Sequence, residues 1–202
     1  MTKSSVRELE LYIHIPFCVK KCDYCDFLSA PANEQVQNAY METLLGEIRE
    51  KSKGTPGNCL VTSVFIGGGT PSVVEPGWMQ KLMETVQGCY RIEPEAEITI
   101  EVNPGTVTRE SLEAYHRAGI NRLSIGCQST DDGELARIGR IHNFDQFLET
   151  YRLAREAGFE NINVDLMNAL PEQGMADVER NLETILTLSP PPEHISVYSL
   201  IL

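Results

Sequence analysis

Short apolar runs alternate with amphipathic stretches along this chain, with little slack between them. Leu9 to Ile15 reads as a strand, and Asn33 to Lys53 as a helix with Val36, Tyr40, Leu44, Leu45 and Ile48 at helical spacing. Lys53-Gly-Thr-Pro-Gly57 breaks that helix. Val61–Ile66 reads as a second strand and Pro76–Gly88 as a second helix. Glu97–Val102 forms a third strand, followed by a helix over Arg109–Ala118 that Gly119 closes as a C′ glycine. Arg122–Gly126 is strand four. Helical segments follow at Asp132–Ile138 and Phe144–Ala157, the second ended by Gly158. Ile162–Leu166 is strand five, Asp177–Leu188 a helix halted by Ser189-Pro-Pro-Pro192, and His194–Leu202 strand six. Strands that return through helices run parallel. The pattern predicts an α/β fold over residues 1–202, an incomplete (β/α)6 barrel ending at its sixth strand.

Composition narrows the partners. Lys and Arg number 17 against 29 Asp and Glu, a formal charge of −12, which disfavours nucleic acid and anionic membrane as main partners. No apolar stretch approaches the ~20 residues of a transmembrane helix, and no apolar h-region follows the first residues. The six cysteines lack the dense regular spacing of a disulfide framework, which points to a reducing, cytoplasmic setting.

Three of those cysteines carry the chemistry. Cys18, Cys22 and Cys25 stand in a C-x3-C-x2-C array directly after the first strand. A [4Fe–4S] cluster normally takes four cysteines, so three leave one iron open to another ligand. Zinc is the competing reading, with His14 or Asp23 as a fourth ligand. The array resembles that of radical S-adenosylmethionine (SAM) enzymes, whose open iron is chelated by SAM. Cys59, Cys89 and Cys127 read as small buried hydrophobes. His116, His142 and His194 read as structural, with haem ligation by one of them left open.

Polar residues also gather at the C-terminal ends of the other strands, where a β/α barrel keeps its chemistry. Gly67-Gly-Gly-Thr-Pro-Ser72 is either a tight turn or a backbone cradle for a small charged ligand; no Gly-Lys-Ser/Thr follows, so it is not a P-loop. Glu101 and Asp165 are either solvated loop acids or a pair facing one cleft, suited to an ammonium or to ribose hydroxyls. Gln128 either caps backbone or faces the same cleft. Arg140 is either a surface cation or a bidentate carboxylate partner. Such loops converge only if the sheet curves.

Taken together, Tyr12-Ile-His-Ile-Pro-Phe-Cys18-x3-Cys22-x-Tyr24-Cys25-Asp-Phe27, the Gly67–Ser72 run, Glu101-Val-Asn-Pro-Gly105, Asn121-Arg-Leu-Ser-Ile-Gly-Cys-Gln-Ser129, Gly139-Arg-Ile-His142 and Asn163-Val-Asp-Leu-Met167 resemble the radical SAM family of oxygen-independent coproporphyrinogen III oxidases, and within it the haem-chaperone branch. The resemblance runs from about Leu11 to the last residue. It implies that Cys18, Cys22 and Cys25 hold the cluster and that Tyr12, Gly68, Gly69, Thr70, Glu101, Gln128, Arg140 and Asp165 contact SAM. Tyr24 would pack beside the cluster. The branch assignment rests on Cys25-Asp-Phe27, where the oxidases have a further cysteine, and on the lack of their N-terminal extension. One departure stands out. Asn168-Ala-Leu-Pro-Glu-Gln173 replaces a glycine-rich loop, so Ala169 or Glu172 would be strained at a position needing positive φ and the loop is expected to differ in shape. The resemblance would place the family's final helix and C-terminal domain beyond Leu202.

Three functions follow from the resemblance. The first is a haem chaperone that binds the cluster, SAM and haem and passes haem to acceptor proteins. The second is the oxidase itself, in which a 5′-deoxyadenosyl radical opens a propionate side chain to decarboxylation. The third is a cluster-binding core without activity of its own. A last strand without its covering helix is expected to leave Ile195, Val197 and Leu200 poorly shielded.

Overall fold

The computed structural model describes residues 6–200. Its centre is a six-stranded, all-parallel sheet whose spatial order follows the sequence: β1 (Arg7–Ile15), β2 (Cys59–Gly68), β3 (Ile92–Val102), β4 (Arg122–Gln128), β5 (Asn161–Asn168) and β6 (His194–Ser199). Six helices lie between the strands: α1 (Glu34–Lys53), α2 (Pro76–Cys89), α3 (Arg109–Arg117), α4 (Asp132–Arg137), α5 (Phe144–Glu156) and α6 (Met175–Leu186). The sheet curls into a partial barrel, as the alternating pattern predicts.

The strands differ in kind on their two faces. Ile13, Val64, Ile66, Ile98, Ile100, Leu123, Ile125, Ile162, Val164 and Leu166 are all buried on the convex face, where the helices cover them. The concave face carries Phe65, Thr99, Glu101, Ser124, Asn163, Asp165 and Ser196 in lateral register. Strand alternation thus sorts the apolar residues into a core behind the sheet and a polar lumen before it.

Local signals explain the boundaries. The Asn33 side chain accepts from the Val36 N–H to start α1, and Thr108 with Ser111, and Asn143 with Gln146, form capping boxes at α3 and α5. Gly119 and Gly158 sit at φ 90° and 97° just past α3 and α5, the conformation a C′ residue needs. Several boundaries depart from the sequence reading, most of all at β3. β2 begins at Cys59 and β3 at Ile92, because Val61 pairs with Ile92 ahead of a register shift that the acidic, Pro94-containing segment concealed. On α1 the buried residues are Met41, Leu45 and Ile48, while Val36 is exposed. β6 stops at Ser199; Ile201 and Leu202, assigned to that strand from sequence, lie outside the described residues.

At the open edge the expectation of poor shielding holds. Val197 is 45% exposed, and Ile195 and Leu200 are only partly buried. Among the described residues no helix is long and apolar enough to cross a membrane.

Candidate functional site

One cavity of ≈360 Å³, within the range of small-molecule sites, opens at the C-terminal ends of the strands, and all six strands or their following loops contribute to its lining. Cys18, Cys22, Tyr24 and Cys25 come from the loop after β1, Gly69 and Thr70 from the loop after β2, and Glu101 and Asn103 from the end of β3. Ser124 and Gln128 come from β4, Asp165 and Met167 from β5, Tyr198 and Leu200 from the last strand, and Arg140 from the α4–α5 connection. The predicted convergence of strand ends is therefore present.

The cysteine loop is stitched mainly to itself. Cys18 N–H donates to Ala30 O at 3.2 Å, Ala30 N–H to Pro16 O at 3.0 Å, and Cys25 N–H to Cys22 O at 3.2 Å. Two side chains reach its sulfurs from the barrel: Thr70 Oγ1 donates to Cys18 Sγ at 3.7 Å and Arg140 Nη1 to Cys22 Sγ at 3.8 Å. Among the described residues no three His, Cys, Asp or Glu side chains are gathered tightly enough to hold a metal ion.

The two side chains weighed as a fourth zinc ligand are engaged elsewhere. His14 has both ring nitrogens engaged, Nε2 with Leu28 O at 2.9 Å and Nδ1 with the Tyr12 hydroxyl at 3.1 Å. Asp23 rests over the Cα of Gly139, where a Cβ would meet its carboxylate at 2.6 Å. Neither is turned to serve as a fourth zinc ligand. Three thiols lining a cavity with donors aimed at two of them suit an iron–sulfur cluster with an open iron.

The opposite wall is a braced pair of acids. Glu101 Oε2 accepts the Gly68 N–H at 2.9 Å. Asp165 accepts from Ser124 Oγ at 2.9 Å and Asn163 Nδ2 at 2.8 Å, and Asn163 in turn accepts from Ser196 Oγ at 3.0 Å. Burial raises both carboxyls above their ordinary values; the neighbouring Asp165 adds to the rise at Glu101, and the hydrogen bonds work against it. A desolvated acid pair at a cleft is a receptor for a cation or for hydroxyl donors.

The glycine run fits between these walls. Gly68 has φ 117°, and a Cβ there would strike the His14 ring at 2.3 Å; a Cβ on Gly69 would meet the Phe17 carbonyl at 2.5 Å. Neither position tolerates a side chain, as the turn reading requires, and the N–H groups of Gly68, Gly69 and Thr70 are taken by Glu101 Oε2, Ile15 O and Phe17 O, so they are not free to cradle a ligand. Arg140 is no surface cation: Nη2 donates to Gly126 O at 2.6 Å and Asn103 Oδ1 at 2.9 Å. Burial pushes the Tyr24 phenol up to about 12, with Arg140 opposing the rise.

Ten of the twelve sequence-predicted site residues line the cavity. Gly68 contributes only its N–H to Glu101, and Tyr12 is 61% exposed on the edge strand, stacked on Phe65, outside the lining. Sequence reasoning missed Asn103, which links Arg140 to Thr70 (Nδ2 to Oγ1, 2.8 Å), and also Ser124 and Tyr198. Asn103 stands inside a quoted motif, but an isolated Ser or Tyr on a strand carries no spacing signal.

The other cysteines and histidines lie outside the cavity lining, with His194 exposed at the start of β6. Cys127 is fully buried on the convex face, while Cys59 and Cys89 are half-buried away from the cavity. His142 is buried with Nε2 against Cys127 O at 3.2 Å, and desolvation, reinforced by Arg140, pushes it down to about 4. His116 packs edge-on against Phe159. Ala169 and Glu172 take φ 56° and 64°, so the strain expected in that loop is present. The turn is held by Gln173 N–H to Leu170 O and by Gln173 Nε2 to Glu134.

Residues 12–185 match the Radical SAM superfamily. The chain is 42% identical over 193 residues to the "Heme chaperone HemW" of Escherichia coli (strain K12), covering 95% of this chain and 50% of that protein. It is 39% identical over 191 residues to the protein of the same name from Bacillus subtilis (strain 168), covering 94% and 50%. The chain thus spans about half the length of these curated relatives. Its fold is similar to the solved structure of coproporphyrinogen III oxidase (HemN) from Escherichia coli, a radical SAM enzyme. The TM-score is 0.87 at 28% identity, covering 96% of this chain and 44% of that one.

Proposed function

The chain belongs to the Radical SAM superfamily, and from that premise we propose that it is the cluster- and SAM-binding part of a haem chaperone. In this reading Cys18, Cys22 and Cys25 hold a [4Fe–4S] cluster, and Glu101, Gln128, Arg140 and Asp165, with Thr70 and Gly69, receive SAM, while Gly68 braces Glu101. The observation that carries it is the single cavity with three thiols on one wall and a desolvated acid pair on the other. A cluster held by three thiolates supplies an iron that accepts an outside ligand, together with one electron.

The chain's own groups prepare the cavity for such a ligand. Thr70 and Arg140 bring hydrogen-bond donors to two cysteine sulfurs. The acids sit where a positive charge lowers their desolvation cost, and the half-exposed Tyr12 lies near enough for Glu101 to raise its phenol further after burial. SAM, with a sulfonium and an ammonium against one carboxylate, suits that field. Haem and haem-acceptor proteins enter by similarity to the named chaperones, and a cytoplasmic setting accords with the reducing chemistry three free thiols require.

A second reading, the oxidase, is favoured by the fold similarity to coproporphyrinogen III oxidase. Identity is higher to the chaperones, and Asp26-Phe27 follows Cys25 without the extra cysteine. The deciding experiment is anaerobic reconstitution with iron and sulfide, then EPR of the dithionite-reduced protein with and without SAM, followed by titration with haem. A [4Fe–4S]⁺ signal that changes with SAM and a saturable haem absorption band are expected. A cluster indifferent to SAM, or zinc without a cluster, would overturn the reading.

A further inference from the structure

Tyr198 lies on the last strand, next to the open edge of the barrel, yet its hydroxyl reaches across to β4. It donates to Gln128 Oε1 at 2.6 Å, a short bond between residues 70 positions apart in sequence. Gln128 itself is 4% exposed and sits at the irregular end of β4 with φ 70°, a left-handed conformation unusual for a residue with a side chain. Its amide has two distinguishable ends. With Oε1 occupied by the tyrosine, Nε2 lies over the Cα of Gly126, where a Cβ would meet it at 2.9 Å, beside Arg140 Nη2. There it has no acceptor among the described residues. Gln128 and Gly126 both line the cavity, which places that nitrogen at its wall.

We infer that Tyr198 is a positioning residue for SAM: its hydroxyl donates to Gln128 Oε1 and anchors that side chain from the last strand, with Nε2 the end left to meet a ligand. In this arrangement the ligand atom facing Nε2 is an acceptor, such as a purine ring nitrogen, a ribose oxygen or a carboxylate.

The inference rests on the SAM reading above, so its test separates the two. Equilibrium dialysis with SAM and with S-adenosylhomocysteine is run on cluster-loaded protein, with melting curves in parallel. Wild type that binds neither compound removes the SAM reading. If wild type binds, Tyr198→Phe is expected to weaken binding by about three- to tenfold, the size of one net hydrogen bond, with iron content unchanged. Gln128→Ala should weaken it at least as much, and Tyr198→Phe should cost nothing further on that background. Gln128→Glu keeps an acceptor for the tyrosine, lacks both donors, and adds negative charge favourable to a cationic ligand; a loss of affinity is nevertheless expected. Additive effects of Tyr198→Phe and Gln128→Ala, an unchanged affinity in Tyr198→Phe, or full affinity in Gln128→Glu would each overturn the assignment. Lowered melting temperature with unchanged affinity would reduce Tyr198 to a packing role.

Discussion

The two walls of the cavity are held in different ways. The cysteine wall is a loop whose bonds run mostly between its own residues, with Phe27 and Leu28 65% and 82% exposed at its tip. The acid wall is cross-braced over five strands, with Glu101 on Gly68, Asp165 on Ser124 and Asn163, and Asn163 on Ser196. One wall is organised locally and the other by the sheet. The first is free to take its final geometry from what it binds, whereas the second is fixed when the strands pair. Iron and SAM should therefore answer to separate sets of substitutions.

The sharpest division is expected at Cys22. Two thiolates cannot retain a cubane, so Cys22→Ala should bring iron and sulfide after reconstitution close to zero while the melting temperature stays near wild type. Full iron content would remove Cys22 from the ligand set. Asp165→Ala should do the reverse, keeping iron and weakening SAM by about ten- to a hundredfold, the scale of charge-assisted hydrogen bonds. Loss of iron in that variant would mean that the walls form one unit.

A subtler effect concerns stability. Because burial raises the Glu101 pKa, the native state holds that proton more tightly than the unfolded chain does. Stability from this group is full below its unfolded value and falls as pH rises through the folded one. Glu101→Gln should thus melt higher than wild type at pH 7, and the gap should close as the pH falls toward the ordinary carboxylate value of 4.5. A variant less stable than wild type at pH 7 would show that the Gly68 bond outweighs the burial cost. The smallest effect lies away from both walls. Ala169→Gly should relieve a left-handed backbone and raise stability by about 0.5–1 kcal/mol, after the greater freedom glycine gives the unfolded chain, read as a shifted urea midpoint at constant slope. Glu172→Gly should gain less, since it also gives up the exposed ion pair to Arg137 at 3.1 Å.

What the sequence could tell follows the same division. The strands announced themselves because one face of each is uniformly apolar, and Gly119 and Gly158 marked helix ends because a left-handed residue is needed there. The start of β3 was hidden, since Glu93, Pro94, Glu95 and Glu97 break the apolar pattern while the backbone still pairs. The cysteine array was legible because its spacing lies along one segment. Ser124, Asn103 and Tyr198 were not, because their roles depend on which strands become neighbours. Tyr12 was drawn in by its motif, yet its side chain stacks on Phe65 at the rim.

The strand order has a mechanical consequence. Since the sheet runs from β1 to β6 without any exchange of neighbours, the cysteine loop and Tyr198 belong to opposite horns of a crescent. The gap between them is set by the sum of the small rotations at five strand interfaces, so modest flexing at each adds up at the mouth. A molecule seated against both horns acts as a strut: by binding only the correctly curved sheet it stiffens the whole arc and lifts its resistance to unfolding.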